Sequence, residues 1–438
     1  MSGFILAAPA SGSGKTLIAA ALLRHLRDRG LRAAAAKAGP DYIDPTFHAF
    51  ASGAPCVNLD PWAMRPATLT SLAGELESAV DLVVCEGVMG LFDGAGPDGE
   101  AGSTAELARL TGWPVVLVVD ASGQGASVAA LVAGFARHDP LVPLAGVILN
   151  RVASPRHRAS LAAAMARHLP ALPVLGAMPR DPALSLTSRH LGLVPAEEAA
   201  GVEAQIEHAA SQIAVGVDIE RVIALARPSR CAATPAAPGL PPLGQHIAIA
   251  RDDAFLFAYE SGLSGWQRQG AELSIFSPLA DEAPHPNADA IYLPGGYPEL
   301  HAGRLAAATR CLGALREAGA QGKSIYGECG GYMVLGDALT DADGETHRMA
   351  GLLPLATSFA APRRHLGYRV ATQLAGGPLG AAGTRFRGHE FHYASIVEEG
   401  EADPLFAVAD ASGGDLGCAG LRRANIAGSF IHLIDRED

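Results

Sequence analysis

KSIYGECGGYMVLG, residues 323–336, decides how the second half of the chain folds. Ile325 and Tyr326 read as an apolar strand, and Tyr332, Met333, Val334 and Leu335 as a helix. Between them, Gly327-Glu328-Cys329-Gly330-Gly331 has the glycine–x–nucleophile–x–glycine spacing of a strand-to-helix elbow. So sharp a turn crowds its neighbours and often demands positive φ, which glycine adopts without a steric penalty. The elbow would lift the Cys329 sulfur above a sheet edge. Amides at the start of the following helix could then stabilise a thiolate or an oxyanion. A lone cysteine beside a loop is more often a buried core residue, but the flanking small residues at this spacing favour a nucleophile.

A thiol nucleophile needs a base and oxyanion donors. Ala290–Leu293 reads as a strand that runs into Pro294-Gly295-Gly296-Tyr297-Pro298-Glu299, where glycines let backbone N–H groups face a site. One donor would come from Gly296 and one from Gly330. His432, after the apolar segment Ile426–Ile431, is a candidate base, with His389 and His392 as competitors.

The first half carries a different signal. The apolar run Phe4–Ala8 is followed by Gly12-Ser13-Gly14-Lys15-Thr16 and then by Leu17, Ile18, Ala21, Leu22 and Leu26 at helical spacing. Strand, glycine loop and helix are the context of a P-loop, although Pro9 stands where its first glycine belongs. Backbone N–H groups would cradle phosphates, Lys15 would reach the β/γ oxygens and Thr16 could ligate Mg²⁺. A second strand ends at Lys37 and is followed by the loop Asp41-Tyr42-Ile43-Asp44-Pro45, whose two carboxylates could hold Mg²⁺ or orient a substrate. A third ends in Glu86, a Walker-B-like position, and its loop continues to Asp93. Further strands at 115–120, 144–149 and 174–179 alternate with helical segments, as in a parallel sheet. Asn150 closes one of them and could meet a purine edge or cap a turn.

Composition fits this picture. The 438 residues suffice for two or three domains, and the net charge of −12 argues against a broad nucleic-acid surface. Six scattered cysteines without a C-x-x-C pair fit a reducing cytoplasm, not a zinc site or a disulfide framework. The N-terminal apolar run flows directly into a glycine loop and lacks the basic region of a signal peptide, and no stretch reads as a membrane helix. Five prolines within residues 227–244 mark an extended linker. The expected organisation is α/β throughout: a P-loop domain at 1–226, the linker, and a second domain carrying the cysteine elbow at 245–438, each a mostly parallel sheet flanked by helices.

The motifs KAGPDYIDPTFH, CEGVMGLFDG, LPGGYPEL, GECGGYM and FRGHEFHYAS, in that order, resemble those of the cobyrinic or hydrogenobyrinic acid a,c-diamide synthases of cobalamin biosynthesis. These join a dethiobiotin-synthetase-like ligase to a class I glutamine amidotransferase domain. The resemblance covers nearly the whole chain and implies ATP- and glutamine-dependent amidation of two acetate carboxylates through acyl phosphates. Cys329 would be the glutaminase nucleophile and His432 its base, with Gly296 and Gly330 lining the oxyanion hole. Gly12, Ser13, Gly14, Lys15, Thr16, Lys37 and Asn150 would bind ATP. Asp41, Tyr42, Asp44 and Asp93 would meet substrate, and Thr16, Asp41 and Glu86 would meet Mg²⁺. The partners implied are a corrinoid acid, glutamine and ATP, with no nucleic acid and no membrane; a homodimer is left open. Many amidotransferases carry an acid two residues after the histidine, where this chain has Ile434. A sister enzyme acting on another tetrapyrrole and a partitioning-type P-loop ATPase are the alternatives. The second of these would leave the elbow, Gly295-Gly296 and His432 without a purpose.

Overall fold

The computed structural model describes residues 2–184, 188–189, 192–193, 201–231 and 239–437. The chain divides into two compact units, Met1–Ala237 and Pro238–Asp438.

In the first unit seven strands form one sheet among the described residues: β1 (Ser2–Ala7), β2 (Ala33–Ala38), β3 (Cys56–Leu59), β4 (Leu82–Glu86), β5 (Val115–Asp120), β6 (Leu144–Val152) and β7 (Val174–Pro179). Their order is β3-β2-β4-β1-β5-β6-β7, and every pairing is parallel. Strands covered on both faces read as unbroken apolar runs; Phe4–Leu6 and Val115–Val119 are fully buried. In-register pairs bring Lys37 of β2 and Leu6 of β1 alongside Glu86 of β4, so three loops leave one sheet edge together. Helix α1 (Lys15–Asp28) follows the glycine loop, and α2 (Asp44–Ser52) begins within the carboxylate loop. That helix and β3 are absent from the sequence reading. CVNL is short and interrupted by Asn58, whose amide is spent holding the carbonyls of Gly39 and Asp41 at 2.9 and 2.7 Å.

The second unit differs from a mostly parallel sheet. The strands of its larger sheet are β8 (His246–Ala250), β9 (Glu272–Phe276), β10 (Ala290–Leu293), β11 (Ser324–Glu328), β12 (His365–Gln373), β13 (Arg385–His392), β14 (Asp403–Asp410), β15 (Asp415–Arg423), β16 (Ile426–Ser429) and β17 (Ile431–Glu437). The order β9-β8-β10-β11-β16-β15-β14-β12-β13-β17 is parallel through β16 and antiparallel beyond it. Tight hairpins cause the change: only the turn around Gly413 separates β14 from β15, too short for a parallel crossover. β16 and β17 stand at opposite ends of the antiparallel run yet are joined through Phe430 alone. The sheet therefore folds back, and the Leu433 N–H donates to Glu328 Oε1 at 3.1 Å to close it.

The proline-rich stretch divides between the units. Arg227 exchanges backbone bonds with Gly3, and the Ser229 hydroxyl donates to Glu77 at 2.7 Å. Leu240 and Leu243 pack on the second core, and residues 232–238 lie outside the described residues. No helix among the described residues is long and apolar enough to cross a membrane.

Candidate active sites

The glycine loop of the first unit is fixed from below. Gly12 and Gly14 adopt φ of 77° and 90°, and a Cβ on Gly14 would lie 2.3 Å from Asn150 Nδ2. Asn150 does not lie open for a purine edge; its Nδ2 donates to Ser13 O at 2.8 Å. The Ser13 hydroxyl donates to Ala10 O at 2.8 Å. Lys15 Nζ donates to Met89 O at 2.6 Å, and burial lowers its pKa. The Thr16 hydroxyl donates to Glu86 Oε1 at 2.9 Å.

A charged cluster continues from this loop. Lys37 Nζ lies 2.6 Å from Asp44 Oδ2 and 3.1 Å from Glu86 Oε2. His48 Nε2 meets the same Glu86 oxygen at 2.6 Å. His48 follows Asp44 by one helical turn of α2, so both face the cluster. It was not among the expected site residues, because a histidine four positions after a loop carboxylate signals nothing until that loop becomes a helix. Burial would lower the Lys37 pKa, but Asp44, Glu86 and Asp41 outweigh it and hold the amine protonated. Burial would likewise raise Glu86, but Lys37, His48 and Lys15 hold it well below the usual carboxylate range. Burial and the neighbouring Asp41 push Asp44 up to about 6.

The remaining acids shape loops. Asp41 Oδ1 accepts from the Ile43 and Asp44 amides, each at 2.8 Å, and so braces the start of α2, with half-buried Tyr42 in the same turn. Asp93 Oδ2 accepts from the Gly90 amide at 2.9 Å within its own loop.

In the second unit Cys329 takes φ 46° and ψ −102° immediately before the helix Gly330–Leu335. That strained backbone, worth roughly 1–3 kcal/mol, is held by its surroundings. The Cys329 amide donates to Ser429 O at 2.8 Å and the Gly331 amide to Pro294 O at 3.0 Å. A Cβ on Gly331 would lie 1.9 Å from Leu293 O, and one on Gly296 2.1 Å from Ala254 O, so neither position admits a side chain. A Cβ on Gly330 would lie 3.0 Å from Gly296 N, which brings the two expected oxyanion-hole residues together. Burial, reinforced by Glu299, pushes the Cys329 thiol well above its ordinary pKa.

His432 lies on β17 against Gly295, whose Cβ would come 2.4 Å from His432 Cε1. Burial, then His389 and His392, bring its pKa down to about 3. Its competitors are placed differently. His389 is its cross-strand partner and is lowered to about 4 by burial. His392 is tied to Glu390 at 2.9 Å and to Ala394 O at 3.0 Å, and stacks on Phe430. His365, Glu390 and His392 bring ligand atoms within 4.8 Å of one another. Arg369 already donates to Glu390 at 2.7 Å, so a cation there would meet a fixed positive charge.

A strained thiol and buried neutral histidines in one unit, and a phosphate-type loop above paired charges in the other, are the parts of an ATP-using amidotransferase. Residues 4–194 match the CobQ/CobB/MinD/ParA nucleotide binding domain, and residues 246–438 match the CobB/CobQ-like glutamine amidotransferase domain. The chain is a glutamine-hydrolysing, amide-forming ligase. The hydrogenobyrinate a,c-diamide synthase of Brucella anthropi is 56% identical over 437 residues, covering 99% of both chains. That of Brucella suis is 57% identical over 437 residues, again covering 99% of both. The chain belongs to the hydrogenobyrinate a,c-diamide synthase family. Among solved structures, PurLQS from Thermotoga maritima is 18% identical with a TM-score of 0.32, covering 44% of this chain and 88% of that one.

Proposed function

We propose that the chain amidates the a and c acetate carboxylates of hydrogenobyrinic acid, or of its cobalt-bearing counterpart cobyrinic acid, using one ATP and one glutamine for each amide. Full-length similarity to relatives named for that reaction carries the reading. In the first unit a substrate carboxylate oxygen would attack the γ-phosphorus of ATP, releasing ADP and leaving an acyl phosphate. The loop Gly12–Thr16 would cradle the phosphates, and Lys15 would leave Met89 O for a phosphate oxygen. Asn150 would serve ATP by holding the loop. Lys37, locked in its protonated form, supports neutralisation of charge on the transferred phosphoryl group. Asp41, Tyr42, Asp44 and Asp93 would contact substrate from their loops.

The Thr16 hydroxyl and Glu86 carboxylate, 2.9 Å apart, are hard oxygen donors suited to Mg²⁺, and Asp41 would be the third ligand. When bound, Mg²⁺ would offset phosphate charge.

In the second unit Cys329 Sγ would attack the glutamine amide carbon while His432 takes the thiol proton. The oxyanion would lie between the Gly296 and Gly330 amides. His432 would return the proton to the leaving nitrogen, giving ammonia and a glutamyl thioester that water cleaves to glutamate. Ammonia would then attack the acyl phosphate and expel phosphate. The free thiols support a reducing, cytoplasmic setting, and a monomer or homodimer is distinguished by sedimentation.

The test is product mass. With Mg·ATP and glutamine, hydrogenobyrinic or cobyrinic acid should gain two carboxylate-to-amide conversions, lost without ATP. Glutamine hydrolysis with neither acid converted would overturn the substrate and point to another tetrapyrrole.

A further inference from the structure

We propose that Glu328, the residue before the nucleophile, is the positioning carboxylate for His432, supplied from the elbow's own strand. The inference rests on the Cys329–His432 glutaminase described above. His432 Nδ1 lies 3.8 Å from Glu328 Oε2, and both side chains are buried. Position 434, two residues beyond the histidine, is isoleucine and has nothing to offer the ring. Glu328 is itself held. Its Oε2 accepts from the Tyr292 hydroxyl at 2.8 Å, and its Oε1 accepts from the Leu433 amide at 3.1 Å. Leu433 is the next residue after His432, so one carboxyl group fixes both the strand that carries the base and the Nδ1 side of its ring.

The separation is that of an ion pair, not a hydrogen bond. Catalytic contacts of this kind are commonly long before substrate binds. When Cys329 Sγ attacks the glutamine carbon, its proton passes to His432 Nε2, leaving an imidazolium whose Nδ1–H faces Glu328. The carboxylate keeps its charge throughout and draws the ring toward it. The proton leaves with ammonia, so Glu328 exchanges none during turnover. Its surroundings make that charge conditional. Tyr259, Trp266, Tyr292, Tyr326 and Leu433 line a small cavity with it. Burial pushes its carboxyl up to about 7. The other titratable groups around the pair are Tyr259, Tyr292, Tyr326 and Cys329 beside Glu328, and His389, His392 and Glu390 of β13 beside His432. Glutamine hydrolysis should therefore rise with pH through about 7.

The experiment uses the full chain and follows glutamate release from glutamine from roughly pH 5.5 to roughly pH 9. E328Q should lower kcat roughly 10²-fold, leave the glutamine KM within about twofold and abolish the rise near neutrality; E328D should restore part of kcat. A wild-type kcat in E328Q, or a reduced kcat with the wild-type pH profile, would overturn the proposal. If E328Q does not fold, Y292F decides. The Tyr292 hydrogen bond lowers the Glu328 pKa, so its loss should move the rise to higher pH, and an unmoved rise would refute the role. C329A separates this from the underlying reading: hydrolysis at the wild-type rate in C329A would remove the glutaminase assignment itself.

Discussion

The two sites solve opposite electrostatic problems. In the first unit Lys15, Lys37, Asp44, Glu86 and His48 are buried together, and the pairs among them keep Lys37 and Glu86 charged. In the second unit Cys329, His432 and His389 are buried so that all three stay neutral. Fixed charge suits the recognition of phosphate, which is anionic throughout the neutral pH range. Suppressed charge suits a step whose chemistry is the passage of one proton. Burial is common to both sites, and the difference lies in whether opposite charges overcome it, as they do for Lys37 and Glu86, or only oppose it, as Glu390 does for His432 and His389.

The sharpest way to break this contrast is to disable one site at a time. C329A should lower glutamine-driven product at least ~10³-fold, while K15A should abolish product from both glutamine and added ammonia. Mass spectrometry with each nitrogen source reads both. Loss of the ammonia-driven reaction in C329A would mean that the two chemistries are not separable. Next in size, E86Q would leave Lys37 buried with one partner fewer. It should destabilise the first unit by about 3–5 kcal/mol, measured by denaturant unfolding; a loss below about 1 kcal/mol would show the cluster to be well solvated.

The smallest effect is in pH. His389 and His432 have folded pKa values of about 4 and about 3, below the unfolded value, so their contribution is intact above pH ~6.5 and falls as the pH drops. Glu328, raised to about 7, acts in the opposite sense and stabilises the fold as the pH falls toward its unfolded value. His365 is lowered in the same sense, so three histidines stand against one carboxyl and the net is at least a single proton. The second unit should therefore lose at least about 1.4 kcal/mol per pH unit between roughly pH 6.5 and 4.5. In the first unit Asp44, raised to about 6, has the reverse sign and offsets the lowered His25, so its stability should hold over that window. Parallel thermal melts that fall together would undo the contrast.

Much of this was legible in the sequence because it is local. The glycine loop, the elbow and the fully buried strands each announce themselves within a dozen residues. Glu86 and Lys37 were found because each ends an apolar strand. What the sequence hid depends on register and folding back. His48 reaches Glu86 only after Asp41 has turned the loop into a helix. Glu328 reads as elbow filler until the sheet curls and brings Leu433 to its carboxyl group. Asn150 offered two plausible partners; its Oδ1 accepts from the Arg151 amide that follows, and its Nδ2 holds Ser13 O, which only the sheet edge could bring to it.

The bond from Lys15 to Met89 O has a consequence for nucleotide affinity. The carbonyl is an internal competitor, present at a fixed effective concentration wherever the chain is. If Lys15 serves phosphate as proposed, a phosphate would have to displace it, and the affinity would be the difference between two partners of one ammonium group. Met89, at φ 46°, belongs to the loop that Asp93 closes. Arrival of ATP would then also be a message to that loop, delivered by removal of a restraint.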